Sequence, residues 1–286
     1  MSAQNLKKAK FAGSWYPKSD RECKKDIENY LSLFNYQNIN TKELIGGIVP
    51  HAGWYFSGQI ACRVISLLKS NTPTDIIIIF GMHLGQNSSV YLMKEGAFET
   101  PFGDLFVDSD IANQIGNMLS FKTNPIDNYV QDNTIELQLP FIKYFFGEAK
   151  IIAMGVPANS KAFQIGKKVA ELIKSKGLNA KVIGSTDLTH YGINYDFMPQ
   201  GTGKASVDWV RSQNDKKVID QILALNSENI MDVAIENQNA CCPGAVSAAV
   251  SYAKEMGAVS ASLVEYATSY DKQPNNSFVG YVGIVF

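Results

Sequence analysis

The sequence predicts a three-layer αβα sandwich on a central, largely parallel sheet, and three observations carry that prediction. Short apolar runs rich in β-branched residues alternate with longer stretches of helical spacing along the whole chain. Three of those runs, Leu44–Val49, Asp75–Phe80 and Lys181–Gly184, lead into polar turns that contain glycine and a histidine. Those histidines, His51, His83 and His190, are all three in the 286 residues. Runs that are apolar throughout read as strands buried on both faces, with helices above and below. In such a sheet ligands bind beyond the carboxyl ends of the strands. The turns that carry the histidines therefore mark the candidate site as well as the fold.

In chain order, residues 11–17 (Phe-Ala-Gly-Ser-Trp-Tyr-Pro) form an aromatic turn, and Ser19-Asp20 lead a helix to about Leu33. The first sheet strand stops at Pro50, which has no N–H for a ladder, so His51 stands at its carboxyl end. Apolar spacing predicts a helix from about Ser57 to Lys69, before the isoleucine-rich strand that ends at His83. Residues 89–108 read as β-structure with a Pro-Phe-Gly-Asp turn between antiparallel arms. Helices are predicted over 109–119 and 134–146, a strand over Lys150–Val156 and a helix over Lys161–Lys174. The strand ending at Thr186 precedes the Asp187/His190 turn and a loop, Gly192–Ala205, over the site. Helices at 206–225 and 243–256 and strands at 260–266 and 279–286 complete one domain spanning 1–286.

Composition narrows the class. Hydrophobic residues make up 45% and charged residues 19%, and the formal charge is −1, from 26 Lys+Arg and 27 Asp+Glu. That describes a globular protein with ample core and no basic stripe, so neither nucleic acid nor an anionic membrane is an expected partner. The first eight residues have no apolar segment of the secretory type, and the longest apolar run is far short of the ~20 residues of a membrane helix. A cytoplasmic protein is expected. The four cysteines form no C-x-x-C pair, which excludes a zinc ribbon.

Cys23 and Cys62 fall in predicted helices as small core residues, but Cys241-Cys242 precede a helix whose first turn holds Pro243. A thiol there feels the positive end of the helix dipole, which favours thiolate. Adjacent side chains diverge, so one functional cysteine is expected. Asp187 and His190 are three apart, and a helical turn would put them on one face as a carboxylate–imidazole pair.

The motifs Ala12-Gly13-Ser14-Trp15-Tyr16-Pro17, Pro50-His51-Ala52-Gly53-Trp54, Gly81-Met82-His83 and Glu99-Thr100-Pro101-Phe102-Gly103 bear a family resemblance. So do Gln138-Leu139-Pro140-Phe141, Ser185 to Gly192, and Ser277-Phe278-Val279-Gly280-Tyr281. Together they resemble the Memo family, found in some genomes as the B protein of the AmmeMemoRadiSam set, almost end to end. The resemblance implies a fold similar to class III extradiol dioxygenases, which hold a non-haem iron. It puts the metal ligands on His51, His83 and Cys241, with Asp187 and His190 in catalytic roles. Iron or copper would be the cofactor, although imidazole and thiolate also suit zinc. The chemistry implied is that of a metal-dependent, dioxygenase-like oxidoreductase, on a small-molecule or peptide ligand. The set's name implies a radical-SAM or AMMECR1-like partner protein.

Two departures stand out. Cys242 replaces a glycine common in the family, which leaves Cys242 open as the ligand instead. Asp132-Asn133-Thr134 replace a Glu-His-Ser run, and the Asn133 amide cannot transfer a proton near neutrality. Little cleavage of simple catechols is therefore expected. Two other readings fit the residues. One is a metal-free hydrolase with Cys241 as nucleophile, His190 as base and Asp187 orienting it. The other is a binding module for phosphopeptides, associated with the family's animal branch, with Trp15, Tyr16 and Trp54 as aromatic walls.

Overall fold

The computed structural model describes residues 5–32, 34–35, 39, 43–119, 122–125 and 132–286. Leu33, the expected end of the first helix, lies outside them, as do the first four residues of the N-terminal stretch. The chain begins β1 (Leu6–Lys7), α1 (Asp20–Ser32), β2 (Gly46–Val49), α2 (Gln59–Leu67), β3 (Ile76–Gly81), β4 (Val90–Leu92), β5 (Ala97–Phe98) and β6 (Leu105–Phe106). It continues with α3 (Ser109–Met118), β7 (Thr123–Pro125), α4 (Asn133–Glu136), α5 (Leu139–Phe146), β8 (Lys150–Gly155), α6 (Ala162–Lys176) and β9 (Ala180–Ser185). It closes with β10 (His190–Tyr191), α7 (Lys204–Trp209), α8 (Asp215–Leu223), α9 (Ile230–Asn237), α10 (Pro243–Met256), β11 (Ser262–Thr268) and β12 (Phe278–Val285).

The main sheet has the order β10-β12-β2-β9-β3-β8-β4-β7, with β11 also on β12. Its centre, β2-β9-β3-β8, is parallel, and β12 and β4 flank that centre antiparallel. All six residues of β3 are buried, as an unbroken apolar strand requires. Successive residues of β2 show the layers. A Cβ on Gly47 would meet Val64 of α2, while Ile48 shares its side with Gly184, which faces Ala245 and Ala249 of α10. Helices thus cover both faces. A small sheet, β1-β5-β6, contains the predicted antiparallel arms. Among the described residues, no helix is long and apolar enough to cross a membrane.

Five features differ from the sequence reading. The helix after His51 starts earlier, with a wide π-helical turn over Trp54–Gly58. The Trp54 side chain fills the space a Cβ on Gly58 would need, so the indole is packed into the core at that turn. The predicted 134–146 helix is two helices, because Pro140 has no N–H to give back to Glu136 and sits at the start of α5 instead. The 206–225 helix contains another π-turn at Val210–Asn214, and α9 is an additional element. Finally, the turn after β9 is not helical: His190 opens β10, which pairs with Val279 of β12.

Candidate metal centre

The register of the parallel strands builds the floor of the site. Val49 pairs with Ser185 at the ends of β2 and β9, so His51 emerges two residues beyond, above Ser185. Leaving the ladder at Pro50 strands the backbone groups of this turn, and buried ones need partners. Gln138 Nε2 donates to the Pro50 carbonyl at 2.9 Å, Asn133 Nδ2 to the His51 carbonyl at 3.0 Å, and His51 N–H to Asp187 Oδ1 at 2.7 Å. His83 reaches the same place through strain. Met82, buried and non-glycine, has φ = 72° and donates its N–H to Thr134 Oγ1 at 2.7 Å. Left-handed backbone costs such a residue about 1–2 kcal/mol. The close approach of Thr134 also explains Gly81, where a Cβ would lie 2.4 Å from Thr134 Oγ1.

Cys241 arrives from the other side, in the loop before α10. Its N–H donates to the Asp187 carbonyl at 3.1 Å, and Asp187 N–H points back at its sulfur at 3.3 Å. The Cys242 N–H donates to Thr186 Oγ1 at 3.1 Å, so two adjacent loops are laced together. The outcome is convergence: His51 Nε2 lies 3.2 Å from His83 Nε2 and 3.2 Å from Cys241 Sγ. Cys242 joins them, its sulfur 3.8 Å from that of Cys241, and one ligand atom from each of the four residues falls within 4.8 Å of the others. The expectation that only one cysteine faces the site is therefore corrected. At the helix N-cap Cys242 has φ −127° and ψ 59°, neither helical nor extended, which swings its sulfur toward Cys241.

The hydrogen bonds assign the tautomer of His51. Ser185 has one hydroxyl proton and donates it to the Thr134 carbonyl at 2.7 Å. It can therefore only accept from His51 Nδ1, 3.0 Å away, so Nδ1 carries a proton and Nε2 is the nitrogen left to share a proton or to bind a cation. Nε2 is the nitrogen that faces His83 and Cys241. Two imidazole nitrogens at 3.2 Å need a proton or a cation between them. Burial lowers the His51 pKa, but Cys241 and then Asp187 outweigh it and raise it to about 9. For Cys241, burial pushes the thiol up, while Cys242 and His51 pull harder and hold it well below the usual thiol range. Burial and the hydrogen bond with Cys241 drive Cys242 the other way, well above it. Both shifts favour a thiolate–imidazolium pairing, in which the sulfur and Nε2 share a proton. A cation can replace that shared proton with the same lone pairs, so the residues fit a metal.

Asp187 and His190 lie near this cluster but do not form the expected pair. Because the turn is extended, the Asp187 carboxylate turns to His51, with Oδ2 4.0 Å from His51 Nε2, and burial raises its pKa. His190 Nδ1 donates to the Leu188 carbonyl at 3.0 Å, and the edge of its ring meets Tyr195 with centroids 4.9 Å apart. His190 and Tyr195 line a cleft of about 490 Å³ that opens onto exposed His83 and half-buried Cys241, between Leu84, Ala158, Leu188 and Ile235. Trp54 and Tyr16 are buried; Trp54 stacks on Phe141 at 4.1 Å between centroids, so these two are packing and not cleft walls. Sequence reasoning missed Ser185, Gln138 and Tyr195. A hydroxyl closing an otherwise apolar strand was a signal for Ser185; nothing in the sequence pointed to Tyr195.

An αβα sandwich with imidazole and thiol donors gathered beyond the carboxyl ends of its parallel strands defines the class. The chain belongs to the Memo family, whose model, described as Memo-like protein, matches residues 7–285. It is 32% identical over 279 residues to a MEMO1 family protein of Methanococcoides burtonii, covering 96% of this chain and 97% of that one. A MEMO1 family protein of Pyrococcus furiosus is 29% identical over 289 residues, with 98% of each chain covered. By structure the chain is similar to an uncharacterized protein from Escherichia coli K12, with a TM-score of 0.53 at 9% identity. The match covers 85% of this chain and all of that one, and speaks to fold alone.

Proposed function

We propose that His51, His83 and Cys241 hold a non-haem iron or copper ion, with Asp187 and His190 handling protons beside it. One observation carries the reading: His51 Nε2 stands 3.2 Å from both the His83 nitrogen and the Cys241 sulfur, three metal-ligating atoms gathered at one place. Bound there, such an ion supplies one-electron redox chemistry and a position for dioxygen or substrate. The protein's part is to orient and to move protons. Ser185 fixes the His51 ring, Asp187 holds the His51 backbone, and the cleft seats a small ligand between apolar walls. His190, with Nδ1 committed to Leu188, offers Nε2 as acceptor to a ligand proton.

The hydrolase reading draws less support. The imidazole against Cys241 is His51, and Asp187 orients His51 and not His190. Nor does a Lys or Arg line the cleft among the described residues, whereas phosphopeptide sites rest on arginine clusters. The AmmeMemoRadiSam resemblance supports a radical-SAM or AMMECR1-like protein as partner. Protein purified anaerobically without chelator should contain close to one iron or copper per chain, and a His51→Ala/His83→Ala variant none. A folded wild-type protein that neither contains nor takes up iron, copper or zinc overturns the proposal.

A further inference from the structure

We infer that Cys242 is a fourth protein ligand, which makes this chain's centre a two-histidine, two-cysteine site that is closed at rest. The inference rests on the metal reading above and deepens it. A tetrahedral zinc-sized ion with thiolates at ~2.3 Å and imidazoles at ~2.05 Å sets its sulfurs about 3.8 Å apart and its nitrogens about 3.3 Å apart. Here the sulfurs of Cys241 and Cys242 are 3.8 Å apart, and the nitrogens of His51 and His83 are 3.2 Å apart. The nitrogen–sulfur contact of His51 with Cys241, 3.2 Å, is shorter than the ~3.5 Å such an ion would impose, so a small expansion admits it. No pair among the four ligand atoms exceeds 4.8 Å, so the longest separation has to close by at most about 1.3 Å to reach ~3.5 Å.

Charge points the same way. With one thiolate, a divalent ion leaves a net positive charge in a buried floor; with two, the centre is neutral and needs nothing from Asp187. The buried Cys242 sulfur lies against that of Cys241, and its backbone N–H is already taken up by Thr186 Oγ1. Four protein ligands would leave no open position on such an ion. Two thiolates also shift preference toward zinc and copper(I).

Apo protein, reduced and anaerobic, is titrated with cobalt(II), and the thiolate-to-cobalt charge-transfer band is read per bound metal. Cys242→Ser and Cys242→Ala should each halve the band of the wild type while still binding cobalt. An unchanged band overturns the inference and leaves a three-ligand centre. X-ray absorption on the zinc-loaded wild type needs no variant: two sulfur and two nitrogen scatterers are expected, and a single sulfur overturns the inference. No uptake of cobalt, zinc, iron or copper by the folded wild type removes the metal reading itself, and this inference with it.

Discussion

Removing the Ser185 hydroxyl should weaken metal binding without removing a ligand. Ser185→Ala leaves the His51 Nδ1–H, buried beneath a ring that is 1% exposed, without the acceptor now 3.0 Å away. If the proton stays, a buried unsatisfied donor costs about 1–3 kcal/mol. If it moves to Nε2, that strain is relieved, but the lone pair that faces His83 and Cys241 is lost. Binding an ion must then return the proton to Nδ1 and recover the cost. Zinc affinity, measured by competition with a chromophoric chelator, should fall roughly 10–100-fold, the range typical of lost partners behind metal-bound histidines. The Thr134 carbonyl also loses a donor, so melting in chelator should drop as well and reads the purely structural part separately. Wild-type zinc affinity in folded Ser185→Ala protein would refute the tautomer assignment.

Two further outcomes follow from the same framework. Asp215 is buried under Gly280, accepts from Thr189 N–H at 3.0 Å and Tyr266 O–H at 2.7 Å, and is pushed by burial to about 6. Its folded pKa exceeds the unfolded ~3.9, so the folded state holds the proton longer, and stability falls as pH rises from about 4 through about 6, by roughly 3 kcal/mol at most. Asp215→Asn should remove that slope, making the variant relatively more stable at pH 7 than at pH 4 in urea unfolding; a pH-independent difference from wild type argues against it. Second, iron-loaded wild type exposed to oxygen should give little or no yellow ring-opened product from catechol or protocatechuate. Asn133 has its amide committed to the His51 carbonyl and cannot move a proton; product at turnover rates would show that it need not.

What could be read in the sequence was whatever depends on local pattern. His51 and His83 were legible because each ends an unbroken apolar run, and a parallel sheet delivers all such ends to one edge. A functional cysteine in the Cys241-Cys242 pair was legible from Pro243, which marks a helix start wherever the helix lies, and the family resemblance singled out Cys241. The Asp187–His190 pairing failed because three-residue spacing carries meaning only inside a helix, and β12 captures His190 as a strand partner instead. The direction of the Cys242 side chain depends on one backbone torsion pair at a helix N-cap, which composition does not determine. The break at Leu137-Gln138 could have been read from Pro140, since a proline disrupts the helix one turn before it.

That break is also where fold and site meet. Without it, one continuous helix from Asn133 to Phe146 would keep Asn133 and Gln138 on a single cylinder. With it, Asn133 at the start of α4 and Gln138 just before α5 reach successive carbonyls of the Pro50-His51 turn from two directions. Asp132 caps the first helix through Ile135 N–H, and Thr134, held by Asp132, supports Met82 in its strained conformation ahead of His83. One short segment therefore orients the backbone of both histidines while supplying no donor atom to the cluster. The Gln138–Phe141 motif carries part of the family resemblance without placing a metal-binding side chain in the site, and this geometry accounts for it. Its side chains fix the two turns from which the ligand atoms project, and a shift of either helix would separate nitrogens that now stand 3.2 Å apart.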